Sequence, residues 1–156
     1  MNDLHFIIQI VMGWENGHMH EFVIGKKSYG KKLKEDYFAR QDENKFTLDS
    51  VVKRKGSKFY YVYDFGDNWE HCLVVEETHH PARDEIYPLC LDGQNPCPPE
   101  DCGGIYGYSH MLEVYTDEKH PDHENIREWL GEGFDPEYFD IRSVNAQLAR
   151  YTSKKR

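Results

Sequence analysis

The sequence predicts an α+β fold, because patterns typical of strands and of helices both occur along the chain. Two segments rich in strand-forming residues, at positions 59–65 and 69–75, flank a turn. Apolar residues recur at helical spacing near both ends of the chain. The length of 156 residues is typical of one domain. We therefore predict a single α+β domain over residues 1–156.

The first third of the chain predicts a helix, a strand and a loop. Apolar residues at helical spacing predict a first helix that ends near Gly13. Residues 18–24 alternate in a pattern that predicts a strand. Residues 25–44 are polar and are predicted to form a loop. Thr47 is predicted to cap a short helical turn through Val52.

A β-hairpin is the clearest element in the sequence. Gly66, Asp67 and Asn68 have the turn chemistry that a hairpin requires. Because strand side chains alternate between two faces, Trp69 and His71 should share one face of the second strand. The exposed and buried faces of this strand should therefore alternate.

The second half of the chain predicts a long loop followed by helices. Residues 81–108 are rich in Pro and Gly and contain three of the four cysteines. Such a long loop is usually functional or held by a metal. Helices are then predicted after Ser109, over 122–130 with Gly131 at the end, and after Asp140 or Ser143.

The charge of the chain limits the classes of partner. Its net charge is −9, and the acidic residues concentrate in the second half. Such a surface repels phosphate backbones, although Lys26–Lys34 and Lys53–Lys58 could form a local basic patch. No apolar run is long enough to cross a bilayer. We expect a cytoplasmic protein with reduced cysteines and no membrane partner.

Several long motifs follow one another in a fixed order. Among them are Tyr63-Asp64-Phe65-Gly66-Asp67-Asn68-Trp69-Glu70-His71, Cys97-Pro98-Pro99-Glu100-Asp101-Cys102-Gly103-Gly104 and Phe134-Asp135-Pro136-Glu137. These motifs resemble those of the plasmid pRiA4b ORF-3-like family, and the resemblance covers nearly the whole chain. It implies an α+β fold with a mainly antiparallel sheet packed by several helices.

The resemblance implies no established activity. Members are sometimes labelled transposon resolvase-like, which suggests an association with mobile elements. Family members usually begin with a strand, whereas this chain starts almost at the first helix. Either the true start of the protein lies further upstream, or the sheet lacks one strand and exposes an edge, which would favour dimerisation or poor solubility.

The cysteines of the long loop predict a structural zinc site. Cys90, Cys97 and Cys102 have the spacing C-x6-C-x4-C, and His71 is the predicted fourth ligand, with Cys72 as its alternative. Thiolate and imidazole are ligands that zinc prefers. Well-known zinc motifs contain a tighter cysteine pair, so reduced thiols packed as small apolar side chains are the alternative interpretation.

Acidic residues near the hairpin turn suggest a second kind of site. Asp64, Asp67 and His71, together with Glu100 and Asp101, could bind a divalent cation and act in a metal-dependent hydrolase or nuclease. Turn geometry also selects Asp at such positions. No nucleophile with a base at motif spacing occurs in the chain, so an enzyme is the less favoured interpretation.

The favoured interpretation is a non-enzymatic binding or interaction domain, with zinc as the cofactor to be tested. Its partner is expected to be another protein or a second copy of the chain. A hydrolase or nuclease is the first alternative, and a DNA-associated regulator linked to mobile elements is the second. The candidate binding residues are Asp64, Asp67, Trp69, Glu100, Asp101, Tyr106 and Tyr108.

Overall fold

Helices and strands occur together in this protein, which confirms the predicted α+β class. The computed structural model describes residues 1–32, 40–80 and 86–154. Within these ranges the helices are α1 (Asn2–Met12), α2 (Leu48–Val51), α3 (Gly104–Thr116), α4 (His123–Leu130) and α5 (Ile141–Ser153). The strands are β1 (His20–Ile24), β2 (Lys27–Gly30), β3 (Gln41–Asp42), β4 (Lys58–Tyr63) and β5 (Trp69–Val74).

The chain divides into two compact units. The first comprises Met1–Gln9 and Asn16–Ile86, and the second comprises Ile10–Glu15 and Tyr87–Arg156. The first unit contains the sheet, and the second contains α3, α4 and α5. The assignment of residues 1–156 to one domain stays a prediction.

The sheet of the first unit is mostly antiparallel. Its strand order is β3-β2-β1-β4-β5, and the β2–β3 pair is the parallel one among the described strands. The loop predicted over residues 25–44 is wrong for β2, which pairs with β1 so that Tyr29 lies opposite Phe22. Both side chains are buried. This tertiary pairing outweighs the loop-like composition around Tyr29, which is why local sequence did not predict a strand.

The hairpin β4–β5 has the predicted alternation of faces. Tyr61 lies opposite His71 and Tyr63 opposite Trp69, and the side chains of Tyr61, Tyr63 and Trp69 are buried. The alternate residues of β5, Glu70 and Cys72, are exposed. One face of the hairpin therefore belongs to the core of the first unit, as predicted.

The loop between β4 and β5 is held by the backbone conformations of its polar residues. Asp64 and Asn68 both have positive φ, at 54° and 55°, which Asp and Asn tolerate better than most residues. The Asp64 carboxylate accepts a hydrogen bond from the Gly66 amide at 2.9 Å. These contacts confirm the predicted turn chemistry.

The second unit is built from helices whose starts depend on glycine and aspartate. α3 begins at Gly104, earlier than the start predicted at Ser109. A Cβ atom at Gly107 would overlap the carbonyl oxygen of Cys102, so glycine is required for this close approach. The Asp140 carboxylate caps α5 by accepting a hydrogen bond from the Ser143 amide, as predicted.

The helices also bear on membrane association. In the described part of the chain, no helix is both long enough and apolar enough to cross a bilayer.

Candidate functional site

A group of polar side chains is buried inside the first unit. His5 comes from α1, His20 from β1, Tyr61 from β4, and Glu43 from a 3₁₀ turn at Glu43–Lys45. The exposed fractions of all four residues are below one-tenth. Buried polar groups are costly unless they are hydrogen-bonded, so the partners of these side chains decide what the group can do.

Four side chains close a ring of hydrogen bonds. The Gln9 amide donates to the Tyr61 hydroxyl oxygen at 3.0 Å, and that hydroxyl lies 2.8 Å from Nδ1 of His5. Nε2 of His5 lies 2.8 Å from Oδ1 of Asn16, whose backbone amide donates to Oε1 of Gln9. Because Oδ1 of Asn16 can only accept, Nε2 of His5 carries the imidazole proton. Nδ1 of neutral His5 is then an acceptor, so the Tyr61 hydroxyl donates its proton to it.

This ring and its burial keep His5 neutral. Burial is the largest cause that lowers the pKa of His5 from 6.5 to about 4, and the neighbouring His20 lowers it further. The hydrogen bond to Asn16 and the charge of Glu43 act in the opposite direction but do not offset these effects. At neutral pH His5 therefore holds a fixed position and carries no charge.

His20 lies directly against His5 and is held by a carboxylate. The two imidazole rings stack with centroids 3.5 Å apart and an angle of 4° between their planes. Nε2 of His20 lies 2.9 Å from Oε2 of Glu43. Among the described residues, His20 has no second hydrogen-bond partner, so its Nδ1 is available for another group.

A cavity of about 400 Å³ opens beside this pair. Its polar walls include His5, Asn16, His18, His20, Lys31 and Glu43. A concave site with a few convergent polar groups and a histidine of shifted pKa is the common form of a small-molecule site. This cavity is accordingly the first candidate site of the protein.

His18 and His20, which both lie in the strand predicted over residues 18–24, have different partners. β1 begins at His20, and His18 precedes it. Nδ1 of His18 lies 3.6 Å from Oδ2 of Asp64, whereas His20 contacts Glu43. The two histidines are therefore held by different carboxylates within the first unit.

The other hairpin candidates contribute mainly to the structure of the turn. Trp69, a candidate binding residue, is only 8% exposed and therefore lies in the core and not on the surface. Its ring lies on the core face of β5 because of the strand register. Asp64 is also buried, while Asp67 is partly exposed. His71 lies with Nδ1 3.1 Å from the Trp69 carbonyl, and burial lowers its pKa.

The loop that contains the cysteines is anchored to the second unit by side chains. The Asn145 side chain accepts a hydrogen bond from the Cys90 amide at 2.7 Å and donates one to the Cys90 carbonyl at 2.9 Å. The Thr152 hydroxyl lies 3.2 Å from the Tyr87 carbonyl. We name the paired Asn145–Cys90 bonds the asparagine clamp.

The next part of this loop is anchored by residues that follow α1. The Trp14 indole donates to the Pro98 carbonyl at 3.1 Å, and the Glu15 amide donates to the Glu100 carboxylate at 2.9 Å. Within the same loop, burial raises the pKa of the Cys97 thiol, and the charge of Glu100 raises it further. Cys97 is therefore a neutral thiol at pH 7 in this arrangement.

The predicted zinc ligands do not lie close enough together to coordinate one metal ion. Among the described residues, no three His, Cys, Asp or Glu donors that include a cysteine lie within 4.8 Å of one another. Cys90 directs its thiol to the Asp92 carbonyl and Cys97 to the Pro98 carbonyl. Such an arrangement does not fit a tetrahedral zinc site, and zinc itself stays a prediction.

The remaining candidates lie where the loop joins α3. Tyr106 is 90% exposed, and its neighbour Ile105 is also largely exposed. Asp101 is exposed, whereas Glu100 and Tyr108 are partly buried. Burial is the largest cause that raises the pKa of Tyr108. The start of α3 therefore presents an aromatic and an aliphatic side chain to solvent.

Comparison with known families is consistent with the motifs in the loop and the hairpin. The family model described as Plasmid pRiA4b ORF-3-like protein matches residues 1–143. The chain belongs to this family.

Two proteins that are similar to this pRiA4b ORF-3-like chain are described without a function. An uncharacterized protein of Sinorhizobium fredii is 38% identical over 132 residues, which cover 84% of this chain and 68% of the relative. The crystal structure of a protein of unknown function from Methanosarcina mazei Go1 has a TM-score of 0.81 and 37% identity. That match covers 92% of this chain and 81% of the other.

The buried group in this pRiA4b ORF-3-like chain was not predicted from its sequence. His5 lies in a segment where only the apolar spacing was considered, and Glu43 lies in the supposed loop of residues 25–44. His20 lies in the strand predicted over residues 18–24, whose alternating pattern does not single it out. The one available signal was a histidine and a glutamine four positions apart on α1, both of which are buried.

Proposed function

We propose that the protein is a non-enzymatic binding module of the cytoplasm that presents the start of α3 to a protein partner. The observation that carries this proposal is the exposure of two adjacent apolar side chains, Tyr106 at 90% and Ile105 at 62%. Aromatic anchors on a fixed backbone are typical of binding hot spots. Cytoplasmic location agrees with four free cysteines.

The backbone beneath these two side chains is well supported. Gly103 caps α3 in the left-handed conformation, and Gly107 lies close against the Cys102 carbonyl. Trp14 and Glu15 anchor the preceding residues through hydrogen bonds. A rigid presentation lowers the conformational entropy lost on binding, which favours a recognition role.

Charge next to these residues suggests the chemistry of the partner. Asp101 is exposed and Glu100 partly exposed immediately before α3. A partner surface with an apolar pocket and basic residues at its rim would complement this arrangement. A second copy of this acidic chain would be less complementary, since its net charge is −9.

Affinity capture with matched variants tests the proposal. The tagged protein, Tyr106→Ala and Tyr138→Ala are compared by quantitative mass spectrometry, because Tyr138 is also exposed in the second unit but lies away from α3 in sequence. We expect a partner that binds the wild type and Tyr138→Ala and is lost from Tyr106→Ala. Identical partners for all three proteins would overturn the proposal. If a second copy of the chain is captured with the tagged protein, sedimentation of the protein alone shows whether the chain associates with itself.

The structural zinc predicted from Cys90, Cys97, Cys102 and His71 is tested by elemental analysis. Protein purified without a histidine tag should contain about one zinc per chain if the prediction is right. Since the asparagine clamp already anchors the loop, a metal-free protein should keep its thermal stability in Cys97→Ser. Loss of stability in that variant, together with loss of zinc, would support a metal instead.

The other two functions stay predictions with simple tests. A metal-dependent hydrolase or nuclease acting through Asp64, Asp67 and His71 requires turnover with added Mn²⁺ or Mg²⁺. A DNA-associated regulator linked to mobile elements requires salt-sensitive DNA binding through Lys53–Lys58 or Lys26–Lys34. Of the latter segment, residues 33 and 34 lie outside the described residues.

A further inference from the structure

We propose that the cavity of the first unit is a binding site for a small molecule that carries a phosphate group. The phosphate would contact Nδ1 of His20 in the wall of the cavity and the ammonium group of Lys31 at its exposed side. The volume of about 400 Å³ lies within the range of small-molecule sites and exceeds what a single phosphate needs.

The availability of one nitrogen of His20 is the first argument. The residue is only 6% exposed, its Nε2 is engaged by Glu43, and its ring stacks on His5. Among the described residues, no group bonds to its Nδ1. Nδ1 is not among the fully enclosed polar atoms that lack a partner, so it keeps access to solvent, and such a nitrogen at a cavity wall is satisfied at lowest cost by water or by a ligand.

The orientation of His20 limits the chemistry of that ligand. With the Glu43 carboxylate accepting the Nε2 proton, Nδ1 of neutral His20 is an acceptor and needs an O–H or N–H donor. When His20 is protonated, Nδ1 becomes a donor and needs an oxygen acceptor. Inorganic phosphate at neutral pH carries both a hydroxyl and charged oxygens, so it satisfies either state. Sulfate carries no proton and satisfies only the second.

The charges around the cavity favour an anion. Among the described residues of its wall, Glu43 is the one acidic side chain, and its carboxylate is already paired with His20. Lys31 is exposed and has no carboxylate within 4.0 Å in the described part of the chain. His18 is excluded from this argument because it lies next to Asp64. As far as the described residues show, a ligand anion would therefore meet the positive charge of Lys31 with no carboxylate paired to it, in an otherwise acidic protein.

Two-dimensional NMR of the ¹⁵N-labelled full chain tests this site with inorganic phosphate at constant ionic strength. Lys27 supplies a matched control, since it is an exposed lysine on β2 that does not line the cavity. We expect saturating shifts at cavity amides, an affinity about fivefold or more lower in Lys31→Gln, and an affinity within about twofold of wild type in Lys27→Gln. We also expect sulfate to bind about tenfold more weakly than phosphate.

Two results would overturn the proposal. One is the absence of any shift at cavity residues up to about 20 mM phosphate, which is well above a weak dissociation constant of about 1 mM. The other is an equal effect of Lys31→Gln and Lys27→Gln on the affinity for phosphate. A parallel titration with methyl phosphate at pH 6, where the monoester is partly protonated, distinguishes the source of the group. Tighter binding of the ester assigns the site to an organic phosphate, and tighter binding of the ion assigns it to inorganic phosphate.

Discussion

Removal of one hydroxyl group, in Tyr61→Phe, tests the hydrogen-bonded ring inside the first unit. The Tyr61 side chain is fully buried, and its hydroxyl bonds to both His5 and Gln9. The substitution leaves the ring nitrogen of His5 and the amide of Gln9 without this partner. A buried polar group left unsatisfied costs about 1–3 kcal/mol. We therefore expect the free energy of unfolding to fall by about 2–6 kcal/mol, since two groups are affected.

Urea unfolding at pH 7, followed by circular dichroism, measures this loss. Tyr60→Phe is the control, because Tyr60 lies next to Tyr61 on β4 and its side chain is 41% exposed. The control should change the free energy of unfolding by less than about 0.5 kcal/mol. Both variants should keep the wild-type m-value. If Tyr61→Phe were as stable as Tyr60→Phe, the ring of hydrogen bonds would be wrong.

Three further predictions use the same unfolding assay. The pKa of His5 is about 4 in the folded chain and near 6.5 in the unfolded chain, so protonation between these values favours the unfolded state. The contribution of His5 to the free energy of unfolding should therefore be full above pH 6.5 and fall by about 3 kcal/mol toward pH 4. This pH dependence should be absent from His5→Gln. Asn145→Ala should cost about 1–3 kcal/mol, because both bonds of the asparagine clamp are lost, and a neutral result would contradict its anchoring role. Gly107→Ala should lower the free energy of unfolding by more than about 3 kcal/mol, because the added Cβ overlaps the Cys102 carbonyl. In the control Gly17→Ala, the added Cβ meets no atom within 4 Å, so stability should hardly change. Equal stability of the two variants would refute the close approach at Gly107.

The parts of the fold that could be predicted from the sequence are those with local signals. The hairpin was predicted because alternating strand formers flank a polar turn, and α5 because Asp140 precedes an apolar spacing. β2 was missed because its strand character comes from pairing with β1 and not from its own residues. α3 was missed at its start because glycines at 103, 104 and 107 suggest a loop when neighbouring atoms are not known.

The buried group could not be predicted for a different physical reason. His5, His20 and Glu43 come from three segments, and only the packing of α1 on the sheet and the position of the 3₁₀ turn bring them together. Each residue alone has an ordinary local interpretation. The exposure of Tyr106, in contrast, agrees with its inclusion among the candidate binding residues, although its role in binding is a proposal.

The asparagine clamp has a consequence for which substitutions the chain can accept. The described hydrogen bonds of the Asn145 side chain go to the backbone amide and carbonyl of residue 90, so the clamp does not distinguish one side chain from another there. As far as the clamp is concerned, position 90 accepts any residue that keeps an N–H, which excludes proline. Position 145 should be far more restricted, because it needs a donor and an acceptor at the same reach. The residue at position 145 should therefore vary much less among related sequences than the residue at position 90. A cysteine that is retained at position 90 would be retained for its sulfur and not for the clamp.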